Sequence, residues 1–173
     1  MKANEETSGF CIRTAGTVRG LPYANLEPFF SDARERCRGD DTIKDCELLE
    51  EDKAANTAIF RYVIKSPSWV VSDRDAVLKR SIRERWPDAD STCVLYKSTE
   101  HSKYPAGANK CVRSVSKQGW VIKKTAEANK FEILMYMENN PGGSIPQWIV
   151  NKAAGKMPTG IYERLNKRAR EFR

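Results

Sequence analysis

Few side chains in this sequence could do chemistry, and they are scattered. His101 is the only histidine. It falls in a turn-rich segment beside Lys103 and Tyr104, with no nucleophile in a recognisable motif, and a triad needs more than one part. The expectation is a surface histidine. Cys11, Cys37, Cys46, Cys93 and Cys111 are odd in number, scattered, and contain no C-x-x-C pair. That argues against a disulfide scaffold and against a zinc site, and leaves free thiols buried as small apolar groups. "NPGGS" (140–144) is glycine-rich but is not followed by Gly-Lys-Ser/Thr, so it is no nucleotide loop. No histidine or carboxylate pair is placed for acid–base work. The pattern calls for no catalysis, no metal and no cofactor.

The arginines are more informative. Ala76, Leu78, Arg80 and Ile82 alternate onto one strand face that is otherwise uncharged and small or apolar. An arginine there needs an anion, because an unpaired buried charge costs several kcal/mol. The bland partner is an Asp or Glu; the functional one is a ligand. Arg36 ends a helical stretch, where it could pair with Asp32 or Asp40 or fork onto a phosphate in a dry pocket. The net charge is +7. Lys152, Lys156, Arg164, Lys167, Arg168, Arg170 and Arg173 are opposed only by Glu163 and Glu171, so most of the excess sits at the C-terminal end. Such a patch suits an anionic membrane or nucleic acid, or is a solvated helix face. Only Phe172 interleaves with "ERLNKRAREFR" (163–173), which argues against nucleic acid.

These residues must be held by some frame. At 173 residues, with 40% hydrophobic and 31% charged, the chain suits one soluble domain with a real core. No window reaches the roughly 18 apolar residues of a membrane span. "MKANEETSGF" has no apolar signal core, so a cytoplasmic protein with a flexible tail over 1–8 is expected. "GFCIRTAGTVRG" alternates like a half-buried strand. In "NLEPFFSDARERC", Leu26, Phe29, Phe30, Ala33 and Cys37 take helical spacing, with Asn25 as a candidate cap. About six strands follow, rich in β-branched and aromatic residues and separated by turn signals, as in an antiparallel meander.

The last element is a helix from about Pro146. Trp148, Ile149, Ala153, Met157, Ile161, Leu165 and Ala169 form its apolar stripe, and Pro158, between Gly155 and Gly160, should kink it. It is the only long element able to cover the apolar face of such a sheet. A cavity between the two is either filled as core or left as a pocket.

Three stretches carry a family resemblance: "NNPGGSIPQWIVNKAA", "SPSWVVSDRDAVLKR" and "CVRSVSKQGWVI". Together they resemble a START (StAR-related lipid-transfer) domain, closest to its phosphatidylcholine-transfer branch, over residues 9–173. The resemblance implies an α+β helix-grip fold: a curved antiparallel sheet wrapped around a long C-terminal helix. Against that pattern, the family's N-terminal helix and first strands are expected to be lacking. It further implies a non-enzymatic carrier that holds a single lipid, a phospholipid by preference, in a hydrophobic tunnel. The carrier would be a cytoplasmic monomer, peripheral to membranes, with no cofactor and no nucleic-acid partner. The alternatives are a helix-grip enzyme acting on an apolar substrate, or a degenerate scaffold working through protein contacts.

The ligand-binding residues that follow are Arg36, Asp40, Tyr62, Arg80, Arg113, Trp148 and Met157. Arg36 takes the place of a phosphate clamp. In "RCRGD" Arg36 and Asp40 match the family's pattern, but Gly39 replaces its Trp. Arg80 matches a cavity arginine of the sterol-binding branch. The acid expected opposite it falls at Arg61, which favours a phospholipid over a sterol. Tyr62 matches one position of a choline cage; the others fall at Ala76 and near Ser116 or Lys117, so the cage is incomplete and Tyr62 reads first as an ordinary core aromatic. Lys152, Lys156, Arg164, Lys167 and Arg168 would face an anionic membrane while the helix opens as a lid.

Overall fold

The computed structural model describes residues 9–66, 71–107 and 110–171. The tail expected over 1–8, Arg173, and residues 67–70 of the resembling strand stretch lie outside these.

The opening alternation forms β1 (Phe10–Arg19). Two short helices follow, α1 (Tyr23–Ser31) and α2 (Ala33–Cys37). Then come β2 (Ile43–Asp52), β3 (Thr57–Ile64), β4 (Arg74–Glu84), β5 (Ser91–Ser98), a two-residue β6 (Val112–Arg113), β7 (Val115–Lys124) and β8 (Lys130–Asn140). The chain ends in α3 (Gln147–Glu171). The strands form one curved sheet in the order β1-β8-β7-β5-β4-β3-β2. Every pairing along that path is antiparallel, as expected; β6, unforeseen, adds a short parallel pairing to β4. Two register shifts, between Ile43 and Asp45 and between Leu48 and Glu50, interrupt the ladder of edge strand β2. Asn25 is no cap: α1 begins earlier, with Pro22 at its N-cap.

One face of the sheet carries the core. Trp120, Tyr96, Ile122, Ile133 and Met135 are buried on it and meet Phe29 and Phe30 of α1. The Phe30 and Trp120 ring centroids are 5.1 Å apart. Ile161, Leu165 and Ala169 of α3 join this cluster. A fully buried side chain of this kind contributes about 1.5–3 kcal/mol, so the C-terminal half of α3 is held firmly. Ile149 and Val150 are also buried, but outside that cluster. Between these anchors Ala153, Gly155 and Lys156 are exposed. Pro158 lies inside the helix and has no N–H to return to the Ala154 carbonyl.

The residues that carried the resemblance mostly build the frame. Arg74 donates to the carbonyls of Ser72, Pro141 and Gly142, and so pins the turn that leads into α3. Gly142 (φ 66°) takes a left-handed conformation there, and a Cβ on it would lie 2.5 Å from the Arg113 carbonyl. Asp75 accepts both the Nε and Nη2 of Arg113, at 2.9 and 3.0 Å.

Candidate functional site

Where α2, β2–β4, β7, β8 and α3 converge they leave a cavity of about 160 Å³. Its wall is mainly apolar and includes Ile43, Ile64, Leu78, Met137, Met157 and Ile161. Arg36, Asp40, Tyr62, Gln118 and Arg164 contribute polar groups to it, as do the smaller Thr42, Ser114, Ser116 and Asn139.

Local structure explains how these reach it. The Asp32 carboxylate caps α2 by accepting the Arg34 N–H at 2.8 Å. One turn later Arg36 points across to β7, where its Nη2 donates to Gln118 Oε1 at 2.6 Å. Its guanidinium lies over the Tyr96 and Trp120 rings, 4.9 and 5.1 Å from their centroids. Gly39 (φ 75°) turns the chain after α2 in a conformation the family's Trp would resist. Asp40 then caps the next turn through the Thr42 N–H at 3.0 Å and offers its other oxygen to Arg164 Nη2 at 2.9 Å.

Burial unsettles this wall. Tyr62 is 6% exposed and its hydroxyl has no hydrogen-bond partner among the described residues. Burial pushes its pKa well up, so it stays a neutral donor. Arg164 Nε is likewise buried without a partner. Burial lowers the Arg164 pKa, and the Asp40 carboxylate opposes that shift. Cys37 also lines the cavity; its thiol is pushed up first by a hydrogen bond with Cys46 and then by burial, which holds it protonated and unreactive.

Four of the expected ligand residues therefore meet at one cavity: Arg36, Asp40, Tyr62 and Met157. Three do not. Arg80 finds its negative partner in the C-terminal carbonyl of α1, donating to Ser31 O beside the Phe60 ring. Arg113 is bound to Asp75 and to the Tyr104 carbonyl. Trp148 is 66% exposed on the outside of α3.

The contrast between Arg80 and Arg61 also dissolves. The strand register sets Arg80 opposite Ala58 and Arg61 opposite Val77, so the two arginines point to opposite faces. Arg61 joins Asp75 and Asp45 on the outer face, with its guanidinium 4.2 Å from the Tyr104 ring centroid. It carries no argument about sterols.

Of the basic residues assigned to a membrane, Lys152, Lys156 and Lys167 are exposed. Arg164 turns into the cavity, and Arg168 pairs with Glu35 at 3.0 Å and lies over the Phe29 ring. Sequence reasoning missed Gln118, Ser114, Asn139 and Arg164 as cavity residues. Gln118 was within reach, since it shares an alternating face with Trp120. Of the five cysteines, all free, only Cys93 is fully buried and Cys11 is exposed.

A sequence profile of the START domain family matches residues 1–171. The chain belongs to the START domain family. Phosphatidylcholine transfer protein of Bos taurus is 25% identical over 152 residues, covering 87% of this chain and 69% of that protein. The crystal structure of human STARD10 superposes with a TM-score of 0.79 at 20% identity, covering 98% of this chain and 67% of the other. Human StAR-related lipid transfer protein 5 gives 0.78 at 18%, covering 94% and 76%. At such identities the structures establish the helix-grip fold. No helix among the described residues is long and apolar enough to cross a membrane.

Proposed function

We propose that this START domain binds one phospholipid between its sheet and α3 and carries it between membranes. The observation that carries the reading is the cavity: a mainly apolar wall that also presents two guanidiniums, a carboxylate and an unpartnered buried hydroxyl. An isolated apolar core would bury none of these unpaired. The similarity to lipid-transfer proteins supports the same reading.

A cavity of about 160 Å³ is small beside the roughly 300–1,000 Å³ of ordinary ligand sites. It admits a headgroup and not two acyl chains. Uptake therefore requires α3 to move, and its exposed middle, from Asn151 to Lys156, is the part least held by the core. Trp148, Lys152 and Lys156 repeat at intervals of four on one side of α3, an exposed indole followed by two ammonium groups. That side suits the headgroup layer of an anionic bilayer.

The test is transfer of fluorescent phospholipid from donor to acceptor vesicles by the purified protein. The reading expects transfer well above the spontaneous rate, reduced at least tenfold by Arg36→Ala in a variant that still folds. Equal rates with and without protein would refute it. Faster transfer of cholesterol than of any phospholipid would reassign the ligand.

A further inference from the structure

We infer that the headgroup end of this cavity selects a phospholipid with net negative charge, with Arg164 of α3 as the selecting residue; the inference rests on the lipid-carrier reading above. The charged groups lining the cavity, among the described residues, are Arg36, Arg164 and Asp40. Two guanidiniums thus face one carboxylate. Arg168 and Glu35 neutralise each other nearby and leave that count unchanged. A zwitterionic headgroup, its phosphate balanced by its own quaternary ammonium, would leave the surplus positive charge partly buried with no anionic partner. A net-anionic headgroup cancels it.

Hydrogen-bonding capacity points the same way. A guanidinium has five N–H donors in a rigid fork that matches phosphate oxygens. Arg36 gives one to Gln118, Arg164 gives one to Asp40, and Arg164 Nε is left without a partner. The Tyr62 hydroxyl, on a side chain only 6% exposed, is a further unpartnered donor on this wall. These groups need acceptors, and phosphate oxygens supply them. A quaternary ammonium needs aromatic faces instead. Tyr62 is the only aromatic side chain among the described lining residues, and Ala76, its cross-strand partner, adds no second ring. Because Arg164 rides on α3, the anion would also tie the moving helix to the sheet side, where Arg36 is fixed. Binding would then favour closure.

The protein is incubated with vesicles containing equal parts of phosphatidylcholine, phosphatidylethanolamine, phosphatidylglycerol and phosphatidic acid with matched acyl chains. It is then separated from the vesicles, and the bound lipid is quantified by mass spectrometry. All four lipids share one surface, so attraction of α3 to the bilayer cannot bias the result. At least tenfold enrichment of the two anionic lipids over phosphatidylcholine is expected. Arg164→Gln should abolish the enrichment, and Arg164→Lys, which keeps the charge beside Asp40, should retain much of it; melting curves confirm that both fold. A separate titration with glycerol 3-phosphate should show no saturable binding at millimolar concentration. Phosphatidylcholine recovered in equal or greater amount would overturn the inference and leave the carrier reading standing. So would enrichment that survives Arg164→Gln. Tight glycerol 3-phosphate binding that competes with lipid would reassign the site to a soluble phosphoester. Recovery of no lipid at all would sink both readings.

Discussion

Arg164 and Asp40 form a 2.9 Å ion pair that joins α3 to the turn after α2, and both line the same cavity. The pair is partly buried, with the two side chains 22% and 14% exposed. It connects the element that must move to the element that holds Arg36.

Asp40→Asn should destabilise the fold by about 1–3 kcal/mol. Asparagine keeps an oxygen for the Thr42 N–H, so the loss reports on the ion pair. Urea unfolding measures it. Removing both charges with Asp40→Asn and Arg164→Met should cost less than Asp40→Asn alone, because no orphan guanidinium remains.

Gly16 of β1 makes room for the Tyr162 ring of α3. A Cβ there would fall 2.5 Å from Tyr162 Cε1 and Cζ, and the Tyr162 hydroxyl donates to the Ile133 carbonyl at 3.1 Å. Gly16→Ala should therefore lift α3 and cost about 1–3 kcal/mol. In a Tyr162→Ala background the same change should be nearly neutral. A double-mutant cycle with no coupling would show that α3 is seated by other contacts.

Much of the frame was legible in the sequence. Strand alternation and turn signals gave the antiparallel meander, and the stripe of Ile161, Leu165 and Ala169 gave the seated half of the last helix. Register was not legible. Periodicity puts Arg80 and Ile82 on one face, but only the pairing of Ala58 with Arg80 places Arg61 on the other. The direction of Arg164 and Arg168 was half-legible: each lies three residues beyond a buried stripe position, Ile161 and Leu165, on the flank of the helix. Charge alone had assigned them outward. Arg80 needed an anion, as its strand face implied, but no local pattern reveals that the end of α1 supplies it through Ser31.

Stability should fall in acid for a stated reason. The Lys103 and Tyr104 hydrogen bonds hold the Glu47 carboxyl below the usual glutamate range, and the Ser66 N–H and Lys44 hold Asp73 below the usual aspartate range. A depressed folded-state pKa gives stability that is complete above the unfolded value and is lost as pH falls below it. Urea midpoints should therefore be flat near neutrality and decline below about pH 4.5. Glu47→Gln with Asp73→Asn should flatten that decline.

Transfer should depend on membrane charge. Replacing Lys152, Lys156 and Lys167 with Gln should slow transfer to anionic vesicles and remove most of its salt dependence, at roughly 1 kcal/mol per basic residue near the surface. The amount of lipid bound should stay the same. Transfer rates that ignore both salt and anionic lipid would mean that this face is only solvated.

Native mass spectrometry of the protein, after exposure to mixed phospholipid vesicles and separation from them, tests the central claim most directly. The account predicts a folded species carrying one phospholipid per chain, lost in Arg36→Ala. A folded protein that emerges with no lipid bound, from every vesicle composition, would contradict it.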